Sequence, residues 1–105
     1  MLNRHLFVLV TLVGCMALQT ASGDERQQQL RYLLTQDCGS CHGLTLKGGL
    51  GPSLRPEALQ GKTDAVLLAA ILEGRPGTTM PPWKDLLSAE DARRLVALMR
   101  AGAVQ

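Results

Sequence analysis

The stretch "QDCGSCHGLTLKGGLGPSL", residues 36–54, places Cys38 and Cys41 three positions apart and follows them at once with His42. Thiols and an imidazole at this spacing suit a structural zinc site, a thioredoxin-like redox pair or the covalent attachment of a prosthetic group. Each of these chemistries needs different surroundings. The remainder of the chain therefore decides between them.

The N-terminus predicts export. Arg4 is followed by an apolar run from Leu6 to Leu18 and then by small polar residues, which is the layout of a secretory signal peptide. We expect a signal peptide at residues 1–23 and a functional domain at residues 24–105 in the periplasm. The run is shorter than the roughly 18 to 20 apolar residues that span a bilayer, so we expect no membrane span.

A second interpretation of the N-terminus starts from "LVGC", residues 12–15, which resembles a bacterial lipoprotein signal. Residues 1–14 would then be removed, and Cys15 would carry a lipid anchor on the periplasmic side of the membrane. The apolar run continues past this cysteine to Leu18, which favours ordinary cleavage. Both interpretations place the domain outside the cytoplasm.

The predicted domain lacks the usual material for a core. Aromatic residues make up 3% of the chain, and without Phe7 of the signal peptide only Tyr32 and Trp83 remain. A domain this small rarely folds on its hydrophobic core alone and usually needs a disulfide, a metal or a cofactor. A disulfide between Cys38 and Cys41 would close too short a loop to stabilise the fold. The formal net charge of +2, without a basic cluster, gives no support to nucleic-acid binding. We expect a monomer.

Helical patterns occur in three segments, and no segment has a convincing strand pattern. The first runs from Asp24 to about Gln36. The second begins with Thr63 or Asp64 as N-cap and ends at a glycine, and its apolar residues lie nearly all round the helix, which predicts burial. The third begins at Ser88, with an acidic residue at the N3 position of a capping box. The sequence therefore predicts a small all-α domain.

Two segments, residues 43–62 and 75–87, are too long to be structureless in a compact domain unless they wrap something. Together with the missing aromatic core, they imply a large planar cofactor. The Cys38, Cys41 and His42 group is the attachment sequence of c-type haem, with two thioethers to the vinyl groups and the histidine on the iron. Zinc needs a fourth ligand, a redox pair needs a βαβ frame, and the domain offers neither. We therefore predict one covalent haem c with its iron.

The sixth iron ligand has two candidates in the predicted domain. Met80 lies in an irregular loop and is followed by Pro81 and Pro82, which stiffen the segment behind its side chain. Met99 lies on the apolar stripe of the last helix, where core packing explains it. We expect Met80 to be the ligand. His42 and Met80 together would leave no open iron position for a substrate.

The motifs "CGSCH" (residues 38–42), "GPSL" (51–54) and "MPP" (80–82) stand in the order found in class I monohaem cytochromes c, which the chain resembles over essentially all of the predicted domain. The resemblance implies a small class I cytochrome c fold, with three or more helices wrapped around one haem. One departure is Leu34, because many members carry an aromatic residue four positions before the first haem cysteine.

The same resemblance assigns further roles around the haem. The Pro52 carbonyl would accept a hydrogen bond from the second ring nitrogen of His42, which fixes the tautomer of the ligand. Leu54 and Trp83 would pack at the haem. Two basic residues are candidates for offsetting the charge of its propionates: Arg55 and Lys62.

A narrower resemblance rests on the opening stretch together with "GRPGTTMPPWKDLLSAEDARRLV", residues 74–96. Both are similar to the small NirC-type cytochromes associated with cytochrome cd-type nitrite reductase in denitrifying bacteria. This implies an electron carrier, not an enzyme, which exchanges electrons with that reductase or with the proteins that mature its d-type haem. The alternatives are a ligand-binding or enzymatic haem module with a displaceable sixth ligand, and an assembly partner in haem biogenesis. We expect Lys47 and Lys84 to flank the exposed haem edge, where a redox partner docks.

Overall fold

The computed structural model describes residues 22–104. The predicted signal peptide, apart from its last two residues, and the alternative lipidation site Cys15 lie outside the described residues. Within residues 22–104, no helix is both long and apolar enough to cross a membrane. The helices are α1 (residues 22–33), α2 (Gly39–His42), α3 (Pro56–Leu59), α4 (Asp64–Glu73) and α5 (Ala89–Arg100).

A π-helical segment, Leu34–Cys38, joins α1 to α2. The residues on either side of each junction keep helical backbone angles, so residues 22–42 form one continuous helix. It extends beyond the predicted first segment at both ends. No strand occurs in the part of the chain that the structure describes, and the prediction of an all-α domain is confirmed.

The helix ends follow the predicted capping. Thr63 is the N-cap of α4, and its Oγ1 accepts a hydrogen bond from the Val66 N–H at 3.3 Å. Ser88 caps α5 in a complete capping box with Asp91, in which each side chain accepts from the other's backbone N–H, at 3.0 and 3.2 Å. Gly74 ends α4 with a φ of 67°, a left-handed conformation that a β-carbon disfavours.

The core lies where α1 and the π segment pack against α5. Leu30 and Leu34 are 0% exposed and belong to one apolar cluster with Leu95. Leu34, the one departure from the resemblance noted in the sequence, is therefore a core residue. Arg26 of α1 also binds Asp91 of α5 through two charge-assisted bonds, Nε to Oδ1 at 3.0 Å and Nη2 to Oδ2 at 2.7 Å. These contacts fix the α1–α5 crossing.

The burial of α4 differs from the prediction. Leu67 is its one buried residue, and Val66 is 51% exposed. Leu67, Ala70 and Ile71 line a cavity. The prediction that this helix is well buried was wrong for the side that carries Val66, because that side faces solvent.

Candidate functional site

A cavity of about 300 Å³ brings together the residues that the sequence predicts to attach the haem, bind its iron and pack against it. Its walls come from the π segment, α2, both long loops, α4 and α5. The predicted residues that line it are Cys38, Cys41, His42, Pro52, Leu54, Met80 and Trp83. Further apolar side chains from the walls are Leu50, Leu59, Leu67, Ile71, Pro81, Leu95 and Met99.

His42 is the last residue of α2, and its ring is held from two directions. Its Nδ1 lies 2.7 Å from the Pro52 carbonyl oxygen, so the hydrogen bond that the resemblance implies is present. A carbonyl can only accept, so Nδ1 carries the proton and the Nε2 lone pair remains free to bind a metal. Gly51 packs against the ring so closely that a β-carbon there would lie 2.8 Å from Nδ1 and from Cε1. No other residue fits at this position without moving the imidazole.

The loop after His42 folds back onto the end of α2. The Cys41 carbonyl accepts from the Gly51 N–H and the His42 carbonyl accepts from the Gly48 N–H, each at 2.8 Å. Carbonyls at a helix C-terminus have no partner within the helix, so the loop supplies one. The same bonds bring Gly51 and the following proline against the imidazole.

Leu46 is the strained point of this loop. Its φ is 59°, which is unusual for a bulky side chain, yet the residue is 2% exposed. Its carbonyl accepts from the Leu54 N–H at 2.9 Å and from the Ser53 hydroxyl at 3.0 Å. Burial of the Leu46 side chain and these hydrogen bonds stabilise the conformation. The bonds also tie the loop that contacts His42 to the cavity residue Leu54.

Cys38 and Cys41 are free, half-buried thiols on the cavity wall. Burial, reinforced by the Asp37 carboxylate, raises the pKa of the Cys38 thiol to about 11. The thiol is therefore neutral at physiological pH, and a neutral thiol is a poor nucleophile for disulfide exchange.

A tight turn holds the backbone of Met80. The Arg75 carbonyl accepts from the Thr78 N–H at 3.1 Å, with Pro76 and Gly77 (φ 79°) in the central positions, as expected of a type II turn. The Thr78 hydroxyl donates to the Arg75 carbonyl at 2.6 Å and accepts from the Met80 N–H at 3.3 Å. The Arg75 N–H donates to the Met80 carbonyl at 3.2 Å. Both polar groups of the Met80 backbone are therefore bonded.

The Met80 loop is also tied to the end of α4. The N–H groups of Trp83 and Lys84 donate to carbonyls in the last turn of α4, at 3.0 and 3.2 Å. A β-carbon at Gly74 would lie 2.7 Å from the Met80 carbonyl oxygen, so the glycine that stops α4 also admits the methionine loop. These contacts fix Met80 relative to the helix that forms the cavity wall.

Met99 is 5% exposed and belongs to the core cluster, as the helical spacing predicts. It also lines the cavity, which the sequence analysis did not foresee. The heptad-like stripe of α5 shows which side is apolar, but it does not show that part of this side faces a cavity. Both methionines of residues 22–104 therefore border the site.

The cations at the cavity are only partly those that the sequence suggested. Lys62 lines the cavity, but Arg55 is not among the lining residues, and its Nη1 donates to the Thr45 carbonyl at 2.9 Å. Arg75 lines the cavity instead, and sequence reasoning missed it. Among the described residues, the side chains of Lys62 and Arg75 have no hydrogen-bond or ion-pair partner. Two unpaired cations therefore border a largely apolar cavity.

The two lysines predicted at a docking surface differ in their surroundings. Lys84 Nζ lies 3.1 Å from Glu73 Oε2 in an exposed ion pair. Lys47 is exposed and has no ion pair with another described residue. Its neighbours Leu44 and Leu50 in the same loop are 65% and 88% exposed. The loop after His42 thus presents apolar side chains beside an unpaired cation.

Comparisons with known proteins show which proteins this chain is similar to. A family model described as "Cytochrome C oxidase, cbb3-type, subunit III" matches residues 25–99, a range that contains every predicted site residue. The curated protein cytochrome c55X of Pseudomonas aeruginosa is 61% identical over 79 residues, which span 75% of this chain and 66% of that protein.

Two solved structures are also similar. The c-type cytochrome NirC is 63% identical, with a TM-score of 0.73, and the match covers 74% of this chain and 92% of that chain. Dihydro-haem d1 dehydrogenase NirN, in complex with DHE, is 38% identical with a TM-score of 0.62. That match covers 67% of this chain but 15% of the dehydrogenase, so the similarity concerns one part of a larger protein.

Proposed function

The chain belongs to the c-type cytochrome family, whose members carry covalently bound haem c, and we propose that it is a one-electron carrier with His42 and Met80 as axial iron ligands. The observation that carries the proposal is the convergence of Cys38, Cys41, His42 and Met80 on one cavity. Two thiols, an imidazole and a thioether are the donor set that a haem c with one histidine and one methionine ligand needs.

Four side chains of this protein would hold the haem and its iron. Cys38 and Cys41 would form the thioethers, His42 would bind iron through Nε2, and Met80 through its sulfur. Iron so held supplies reversible one-electron exchange between Fe(II) and Fe(III). The bond to Pro52 fixes the tautomer of His42 and increases its basicity. Methionine is a weaker donor than a second histidine and favours the reduced state.

The remaining wall residues exclude water and balance charge. Leu54 and Trp83 lie on the cavity wall and pack against the core, so they would cover the ring. The carboxylates of the haem would be held by Lys62 and Arg75, the two cations on the cavity wall that lack a partner among the described residues. A guanidinium and an ammonium both bind carboxylates, the former with two parallel donors.

The proposed partners are a cytochrome cd-type nitrite reductase or the proteins that mature its d-type haem. Support comes from the similarity to NirC and from the similarity to part of the dehydrogenase NirN, an enzyme named for a haem d1 substrate. A dehydrogenation releases electrons that a carrier must accept. A carrier related to one part of that enzyme is suited to this exchange.

We also propose that residues 1–23 are removed on export and that residues 24–105 act as a periplasmic monomer. The alternative is lipidation at Cys15. The intact mass of the purified protein separates the two, because a lipid adds mass that cleavage after Gly23 cannot supply. Sedimentation of the same sample gives the oligomeric state.

The ligation is tested by spectroscopy on the haem-loaded protein. The oxidised protein should show the weak near-infrared charge-transfer band of methionine bound to ferric haem, and the reduced protein should bind CO poorly. Met80→Ala should lose the band and gain CO binding. Met99→Ala is the matched control, since Met99 lines the same cavity from α5, and it should change neither. Rapid CO binding by the unaltered protein would show instead a haem module with a displaceable sixth ligand.

A further inference from the structure

Along the continuous helix of residues 22–42, the buried residues from Leu30 onward are Leu34, Gly39 and His42, so that three repeats take twelve residues. Leu30 and Leu34 are 0% exposed, Cys38 packs against the core and lines the cavity, and His42 is 9% exposed. The residues halfway between these positions are exposed: Tyr32, Gln36 and Ser40. An α-helix repeats every 3.6 residues, so three repeats that average four residues do not fit an uninterrupted α-helix.

The rotation along the helix shows the size of the mismatch. Each residue of an α-helix advances by about 100°, so three steps of four residues would turn His42 about 120° away from the side that carries Leu30. The π segment contains a hydrogen bond from the Gly39 N–H to the Leu34 carbonyl, five residues back. A π turn contains one residue more than an α-turn. The residues that follow it are therefore rotated back about the helix axis by roughly one residue step, about 100°. His42 is thereby returned to the side of the helix that carries Leu30.

The side chains around the π segment support it locally. The Thr35 hydroxyl donates to the carbonyls of Arg31 and Tyr32, at 3.1 and 3.0 Å. The Ser40 hydroxyl donates to the Asp37 carbonyl at 2.7 Å. Hydroxyls that bond to carbonyls of the preceding turn compete with the regular helix ladder. They therefore favour the wider turn at this place.

We propose that the π turn at Leu34–Cys38 is a register device, which aligns Cys38 and His42 with the core side of the helix so that one rigid element both packs the domain and presents the iron ligand. The inference rests on the proposed ligation by His42 and Met80. The number of residues in the π segment, and no single side chain in it, positions His42.

Deleting Gln36 tests the proposal. Gln36 is exposed and lies inside the π segment, so its removal should leave an ordinary α-turn. The haem should still attach, because the Cys38 to His42 motif is intact. His42 should turn about 100° away from its place beside Pro52, with loss of the methionine band in the oxidised protein and gain of CO binding in the reduced protein.

Two control variants separate register from helix length. Deleting Glu25, which is exposed and precedes Arg26, shortens the same helix by one residue but keeps the register from Arg26 to His42, so the band should remain. Gln36→Ala keeps the length and should have the spectrum of the unaltered protein. A Gln36 deletion that retains the band and binds CO as poorly as the unaltered protein overturns the proposal.

If the deletion variant does not fold, a measurement on the unaltered haem-loaded protein still tests the proposal. Couplings across hydrogen bonds, measured by NMR, should connect the Gly39 N–H with the Leu34 carbonyl. A coupling from the Cys38 N–H to that carbonyl would show a regular α-helix and overturn the proposal. If the unaltered protein itself lacks the methionine band, the proposed ligation fails, whereas the π turn is still judged by the NMR couplings.

Discussion

Gly51→Ala should displace the proposed iron ligand His42 without removing any polar group. A β-carbon at residue 51 would lie 2.8 Å from Nδ1 and Cε1 of the imidazole, whereas ordinary contact begins near 3.4 Å. The ring must therefore move by about 0.6 Å, or the backbone of the loop must move by as much. Because Nδ1 lies only 2.7 Å from the Pro52 carbonyl, such a shift lengthens or bends that hydrogen bond.

The loss of folding free energy in Gly51→Ala has two sources, the weakened hydrogen bond and the steric crowding that remains. A weakened buried hydrogen bond costs about 1 kcal/mol, and crowding in a packed site adds about another. A total of about 2 kcal/mol lowers the Tm of a domain of this size by roughly 8 to 16 °C. A weaker bond at Nδ1 also makes the imidazole a poorer donor to iron, so the midpoint potential should rise.

The assay is a thermal melt of the haem-loaded protein followed in the Soret band, together with a redox titration. Gly39→Ala is the matched control, since it is a glycine-to-alanine change in the same segment whose β-carbon would meet Leu44 Cα at an ordinary 3.4 Å. Gly51→Ala with the Tm and the potential of this control would refute the idea that Gly51 positions the histidine.

Two further predictions concern charge. Asp91→Asn should destabilise the protein at pH 7 by about 1 kcal/mol, because the hydrogen bonds from Arg26 lower the pKa of Asp91 to about 2, and water screens a pair in which Arg26 is 37% exposed. This stabilisation is complete above the ordinary aspartate pKa near 4 and is lost as the pH falls through about 2, so urea titrations should show the two proteins converging in acid. Lys47→Glu should slow electron transfer to a nitrite reductase at low salt, and the difference from the unaltered protein should disappear at high salt. Lys84→Glu should slow the transfer less, because Lys84 already forms an ion pair with Glu73. Equal slowing by the two variants would contradict the role given to Lys47.

The helix ends could be predicted from the sequence because their signals are local, and the proposed ligands rest on signals of the same kind. Ser88 with an acid three residues later, or a thioether in a proline-rich loop, needs no knowledge of the rest of the fold. The cavity cation Arg75 was missed because its position depends on the turn that follows it. The π turn was missed for a similar reason, although the four-residue spacing from Leu30 to His42 was visible in the sequence.

Both proposed axial ligands are held through backbone contacts at a glycine. Gly51 lets its loop lie on the His42 ring, and Gly74 lets the Met80 carbonyl approach the end of α4. The two loops that lack any periodic pattern are thus the parts that fix the iron ligands, and their bonds run to the ends of α2 and α4. Since the same loops form walls of the apolar cavity, filling the cavity with haem and ordering the ligands should occur in one cooperative step. The loops therefore serve the site in two ways, since they supply side chains such as Met80 and their glycines let the backbone approach His42 and the end of α4.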